Sequence, residues 1–396
     1  MTPGNWPRLA CPSICAGVFL LLAGIQAHSD TQDQSLKEQI ARLAEPVLIQ
    51  RQTIGIAIGI LGGDGQRHYY AFGRVSTEGY RAPNEDTLFE LGSITKCFTG
   101  ILLADMVLRN EVRLDETAES LLPRGAALPR VGGRPITLEE LATYSAGLPR
   151  MPDNMGRTYE ERAHYSPEKM FEFLRALASR ERGAGPERHY LYSNLGFALL
   201  GHCLGDRARE PIRPLLISRV VRPLGMESTC FQPGPRLEER VARTYDKEGK
   251  PVPPWETGAI APAGMLRSSS REMVRFLAAN VGRERTPLAD AIQFAQRPRY
   301  QTGTTEKHPH NHDIGLAWFI DPQTGFIAHD GATAGSSANV VFDPKSKIGV
   351  VVLMNQQGAP VVRMSLQIMR LVNKNYTTDT FPPSPRGEEE EGPSNR

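Results

Sequence analysis

Strand-like segments stand at both ends of this chain with a long helical stretch between them, and that division limits the fold more than any other feature. Ile54 to Leu61 and Gln66 to Phe72 read as two strands, joined by the glycine-rich turn Gly62-Gly63-Asp64-Gly65. Strands return at Gly325–Ala328, Ala338–Phe342 and Ile348–Met354, the last two joined across Asp343-Pro344-Lys345-Ser346-Lys347. Leu36, Ile40, Leu43 and Val47 place an amphipathic helix before the first strand, and Val362, Leu366, Met369 and Val372 place one after the last. From about Ser93 to Ala279 the pattern is mainly helical, with long loops containing proline and glycine. The simplest arrangement is an α+β fold. Both ends build one antiparallel sheet covered by the terminal helices, and a helical lobe of about 93–279 is inserted.

Ser93-Ile94-Thr95-Lys96 carries the first chemical signal. Residues three apart share a helix face, so Lys96 can reach the Ser93 oxygen and compete for its proton. Ile94, Phe98, Ile101, Leu102 and Met106 recur at helical spacing and would hold the pair rigidly. Gly92 allows a close turn into the helix, whose N-terminal field favours developing negative charge. Taken alone, the same four residues also describe an N-cap serine followed by a surface lysine.

Two later segments change that balance. Tyr192-Ser193-Asn194 precedes the apolar run Leu195, Phe197, Ala198, Leu199 and Leu200, which opens another helix. A tyrosine there can carry a proton, because a nearby ammonium favours phenolate. Asn194 offers both a donor and an acceptor to a substrate amide. His329-Asp330-Gly331-Ala332-Thr333-Ala334-Gly335 lies between two strand-like runs, where glycine often marks close approach of a ligand to the backbone.

In this order the three motifs resemble those of the serine penicillin-recognising enzymes, which comprise class C β-lactamases, D-alanyl-D-alanine carboxypeptidases and related esterases. Leu141-Ala142-Thr143-Tyr144-Ser145-Ala146-Gly147-Leu148-Pro149 is similar to the class C segment beside the active site. Pro223-Leu224-Gly225-Met226, Gly331–Gly335 and the strand Ile348–Asn355 match further landmarks, so the likeness spans roughly residues 35 to 375. It implies the same two-lobed fold, with the active site at the junction of the lobes. It also implies Ser93 as nucleophile, Lys96 and Tyr192 as proton carriers, and the N–H groups of Ser93 and Ala332 as oxyanion donors. Asn194, His329 and Gly331 would line the substrate site, and no metal or organic cofactor is called for. An unassisted serine is a weak nucleophile, which is why the amine and the phenol are needed.

The third motif departs from the class C pattern, which has lysine and threonine where this chain has His329 and Asp330. That pair helps to bind a substrate carboxylate. Histidine is largely neutral near pH 7, and an ionised Asp330 would repel a carboxylate. Arg150, just after Leu148-Pro149, could supply the missing charge or could be an ordinary surface arginine. Three functions follow: hydrolysis of a β-lactam or D-alanyl peptide amide, a carboxylesterase or transesterase on the same machinery, or a sensor of β-lactams or cell-wall fragments. The lipase-type G-x-S-x-G elbow is absent around Ser93 and Ser145, which disfavours an α/β-hydrolase.

Composition sets outer limits. The 46 basic and 44 acidic residues give a net charge of +2, which argues against a nucleic-acid partner. After Arg8 no charge occurs through Ala27, and Ile14 to Ile25 is apolar. Residues 1–27 therefore read as a signal peptide or an uncleaved anchor, either of which exports the catalytic part to the periplasm or the medium. Residues 28–380 form the catalytic domain, and the proline-rich, glutamate-rich stretch 381–396 reads as a disordered tail. Cys97, Cys203 and Cys230 permit at most one bridge in the mature chain, and Cys97 reads as a buried small residue. His308, His310 and His312 fit an exposed polar loop better than a metal site, since Pro309 interrupts them and no carboxylate or cysteine frame accompanies them.

Overall fold

The computed structural model describes residues 34–122, 127–156, 158–180, 188–303, 311–374 and 376. The proposed leader, the tail, His308 and His310 lie outside the described residues.

Helix α1 (34–49) leads into strands β1 (Gly55–Leu61) and β2 (Arg67–Gly73). The central region contributes α2 (Thr95–Leu108), α3 (Asn194–Ala208) and α4 (Ser270–Asn280). Strands β3 (Tyr300–Gln301), β4 (Asp313–Ile314), β5 (Phe319–Ile320), β6 (Ile327–Ala332), β7 (Ser337–Asp343) and β8 (Ile348–Met354) follow, then α5 (Val361–Val372). The eight strands form one antiparallel sheet in the order β2-β1-β8-β7-β6-β5-β4-β3. The two ends of the chain meet at β1 and β8, where Ile56 faces Met354 and Leu61 faces Gly349.

Both faces of this sheet are covered, so its central strands are continuously apolar rather than alternating. β1 and β8 are buried along their whole lengths. Ile56, Ile58, Ile60, Val350 and Val352 pack against Ile40, Ala44 and Val47 of α1 and Met364 and Ile368 of α5. From the other face Ala57, Val351 and Leu353 join Met273, Val274 and Leu277 of α4 in a larger cluster that includes α2. Full burial of each such aliphatic side chain contributes roughly 1.5–3 kcal/mol. α2 is buried from Thr95 through Met106, the polar Lys96, Thr99 and Asp105 included.

The structure differs from the sequence reading in four places. The strand expected at 325–328 instead runs from Ile327 to Ala332, so the His329-Asp330-Gly331 motif is itself strand. Pairing with β5 on one side and β7 on the other keeps these polar and small residues extended. Secondly, α4 packs on β1 and β8, so the tail of the expected helical lobe serves as a layer of the sheet. Thirdly, β3, β4 and β5 are two residues each, too short to show a period of two. Finally, His312 is buried against Phe319 and not exposed, tied through its backbone to Thr302.

Candidate active site

Backbone meets backbone where β6 passes the turn Gly92–Ile94 that feeds α2. Gly92 has φ +51°, and a Cβ there would lie 2.6 Å from Ala332 N and 2.8 Å from Ala332 O. A Cβ on Gly331 would lie 1.8 Å from Leu91 O and 3.1 Å from Ser93 N. Only two glycines permit this approach, which sets the backbone of Ala332 beside that of Ser93. The Thr95 hydroxyl secures the turn by donating to Gly92 O at 2.7 Å, and it accepts from Leu266 N at 3.1 Å.

Lys96 is fully buried and Ser93 nearly so. Lys96 Nζ lies 2.8 Å from Ser93 Oγ, 2.7 Å from Asn194 Oδ1 and 2.7 Å from Ala263 O. The last two atoms are carbonyl oxygens and can only accept. Two N–H bonds are directed to them, and the amine also faces the serine. An ammonium donates there; a neutral amine presents its lone pair to the serine hydroxyl. The arrangement is thus satisfied in both protonation states, as a general base requires.

Ser193 caps α3, accepting from Gly196 N at 2.8 Å and donating to Pro149 O at 2.7 Å. That cap fixes the residues on either side. Asn194 turns its oxygen to Lys96 and its nitrogen to Met151 Sδ at 3.2 Å. Tyr192 is buried, with Lys96 Nζ 4.9 Å and Arg150 Cζ 5.4 Å from its ring centroid. Both basic side chains lie against the face of its ring. Arg150 is half-buried, and its carbonyl accepts from Asn194 N and Leu195 N.

His329 is fully buried, with Nε2 3.1 Å from the Tyr144 hydroxyl and Nδ1 2.6 Å from Asp330 O. It therefore faces protein groups. Asp330 lies on the opposite face of β6, because Ile327 joins the core beneath the helical lobe while Ala328 joins the core beneath the terminal helices. Ser93, Lys96, Tyr192, Asn194, Arg150, Gly331 and Ala332 are brought together, and His329 lies beside Tyr192 with ring centroids 6.5 Å apart. The helix leading to Tyr144 starts at a capping box of Thr137 and Glu140. Burial raises the Glu140 pKa, but hydrogen bonds from Arg134 and Thr137 outweigh it and leave the carboxyl below its usual range.

Sequence reasoning missed several supports. Ala263 contributes only a carbonyl, which leaves no signal in a sequence. Glu90 is buried and accepts from Arg267 at 3.2 Å, Trp255 N at 2.7 Å and the Thr333 hydroxyl at 2.6 Å, bracing the loop after β6. Tyr144 sits inside the segment already matched as flanking an active site, but its partner could not be read there. Cys97, Cys203 and Cys230 are not joined in disulfides. Among the described residues no group of histidine, cysteine and carboxylate side chains is placed to hold a metal ion.

The family model described as Beta-lactamase matches residues 38–373. The D-alanyl-D-alanine-carboxypeptidase/endopeptidase AmpH of Escherichia coli K12 is 26% identical over 355 residues, covering 85% of this chain and 88% of the relative. A Beta-lactamase of the same strain is 28% identical over 376 residues, covering 87% and 94%. Among solved structures, the class C beta lactamase from Rhodobacter sphaeroides superposes with a TM-score of 0.72 at 23% identity, covering 84% of this chain and 99% of that one.

Proposed function

The chain belongs to the Beta-lactamase family and is a serine hydrolase, and on that premise we propose that it cleaves a β-lactam or D-alanyl peptide amide through an acyl-enzyme on Ser93. The observation that carries this reading is the buried amine of Lys96, 2.8 Å from the Ser93 hydroxyl and oriented by two carbonyls. Lys96 takes the serine proton as Oγ attacks the carbonyl carbon. The resulting oxyanion is held by the N–H groups of Ser93 and Ala332, which the two glycines bring together. Tyr192 passes a proton to the leaving group as the carbonyl reforms and the scissile bond breaks. It then takes a proton from the water that attacks the ester on Ser93, and as the Ser93–acyl bond breaks Lys96 returns its proton to the departing Ser93 Oγ. Asn194 aligns Lys96 and borders the acyl side of the site. Arg150, half-buried beside Tyr192, is the cation available to a substrate carboxylate.

A second reading, an esterase or transesterase, is favoured by the third motif. Its histidine is buried and its next side chain is a carboxylate on the other face, so the motif offers no lysine to a carboxylate-bearing substrate. Export to the periplasm or the medium is part of the proposal and is supported by the apolar stretch 14–25. No helix among the described residues is long and apolar enough to cross a membrane.

The test compares the protein and its Ser93→Ala variant on a chromogenic cephalosporin, a D-alanyl-D-alanine peptide and an aryl ester. Turnover of the first or second, lost in the variant, supports the amide reading. Ser93-dependent turnover of the ester alone replaces it with the second reading.

A further inference from the structure

Tyr144 belongs to none of the three motifs, yet it touches two of them. Its φ is +56°, a left-handed conformation that a bulky residue keeps only where its surroundings over-determine it. Its carbonyl accepts from Leu191 N at 2.8 Å, and its ring stacks on that of Tyr192 with centroids 4.7 Å apart and planes at 23°. Its hydroxyl lies 3.1 Å from His329 Nε2 and 3.4 Å from Ala317 O. Tyr144 therefore grips the proton-carrying segment of the helical lobe and, at the same time, the strand that continues through Gly331 to Ala332.

The hydrogen bonds define the chemistry of this grip. Asp330 O can only accept, so Nδ1 of His329 carries a proton. In the neutral ring Nε2 must then accept, and the Tyr144 hydroxyl donates to it. In the charged ring Nε2 donates instead, and the hydroxyl proton turns to Ala317 O. The contact survives in either state. A phenylalanine and an apolar residue would fill the same buried space without the cost of desolvating two polar groups. A fully paired buried polar contact instead fixes one geometry.

We propose that Tyr144 and His329 are a positioning pair: their hydrogen bond registers the helical lobe against the sheet, so that Tyr192 and the Ala332 N–H are held in one frame around the Ser93 carbonyl adduct. The proposal rests on the Ser93 acyl-transfer reading above. It assigns His329 a role in holding Tyr144, where the family resemblance suggests one in contact with substrate.

Tyr144→Phe keeps the ring and its stack while deleting the hydroxyl, and His329→Leu deletes the other partner. Turnover of a p-nitrophenyl ester and a chromogenic cephalosporin is measured per active site, counted from the acyl-enzyme burst, with Ser93→Ala as the blank. Each variant is expected to lose about tenfold or more in kcat with KM little changed, since misplacement of about 1 Å can cost about 10²-fold. The double variant is expected to be no worse than the worse single one, the signature of a shared interaction. His329→Gln, whose amide can still bond the tyrosine hydroxyl, is expected to recover most of the lost kcat and carries the test if Tyr144→Phe does not fold. A loss of thermal stability with kcat per site unchanged would make the pair merely structural and overturn the proposal. So would multiplicative losses in the double variant. Turnover surviving in Ser93→Ala overturns the reading of the site itself, so the two failures are distinct.

Discussion

Gly331→Ala probes the close backbone approach between β6 and the turn before α2. The added methyl carbon would lie 1.8 Å from Leu91 O and 2.9 Å from Leu91 C, where real Cβ atoms essentially never come within 3.0 Å. The gap must therefore open by about 1.2 Å, the difference between those two distances. Backbone lies on both sides, so no side chain can swing away to absorb it. β6 is also held by its pairing with β7, where Gly331 faces Ala338 and Ala332 faces Ser337. The displacement is shared by the very segments that carry the Ser93 and Ala332 N–H groups. Loss of one oxyanion donor costs about 3 kcal/mol, or about 10²–10³ in kcat, and overpacking of this kind costs about 1–3 kcal/mol of stability. Pre-steady-state kinetics on an aryl ester, with circular dichroism to establish that the variant is folded, should show acylation slowed by at least about 10²-fold. A folded variant that acylates within about threefold of the parent would show that the Ala332 N–H is not an oxyanion donor.

Other outcomes follow from the same geometry. Lys96→Ala should reduce acylation by about 10³-fold or more, since it removes the base and leaves Asn194 Oδ1 and Ala263 O without their donor; near-normal rates in stopped flow would transfer the role of base elsewhere. Arg267→Met strands the buried Glu90 carboxylate and should lower stability by about 3–5 kcal/mol, read as a shift in the urea midpoint. Asp86 and Glu111 are held below the ordinary carboxylate range chiefly by hydrogen bonds from Arg271 and Arg219. Their contribution is therefore complete above an unfolded pKa of about 4 and fades as pH falls through the folded values. Burial lowers the pKa of His202, so the unfolded chain gains a proton near pH 6.5 before the folded one does. Urea stability should begin to fall there, and His202→Gln should abolish that upper step; a step that persists assigns it to another group. Burial pushes the Cys203 thiol far above its usual range, so native protein should leave it unmodified by a thiol reagent at pH 8 over the time in which urea-unfolded protein reacts fully.

The parts of this fold visible in the sequence are those in which burial and chain period coincide. Ile54 to Leu61 and Ile348 to Met354 are apolar without interruption because both sheet faces are covered, and each is found within one residue of its observed position. The spacing of Ser93 and Lys96 is local, so it survives the passage from sequence to structure unchanged. The third motif is different. His329 reads like a polar residue at a strand end, yet it is buried in mid-strand because Tyr144, 185 residues away, supplies its partner. Long-range hydrogen bonding leaves no periodic trace. His329 and Asp330, adjacent in the chain, point to opposite faces of the strand, which their order in the sequence does not display.

The pairing of β1 with β8 also bears on how the chain comes to fold. The hairpin of β1 and β2 has one long neighbour in the sheet, and that neighbour lies far along the chain: Gly55 N bonds the Asn355 side chain across 300 residues. An isolated hairpin is marginal in water, so these strands must wait, with apolar surface exposed, until the segment 300 residues further on becomes available. Such a topology makes assembly slow. It also makes a truncation before Ile348 fatal to the whole sheet even though every residue of the Ser93 and Lys96 segment would still be present.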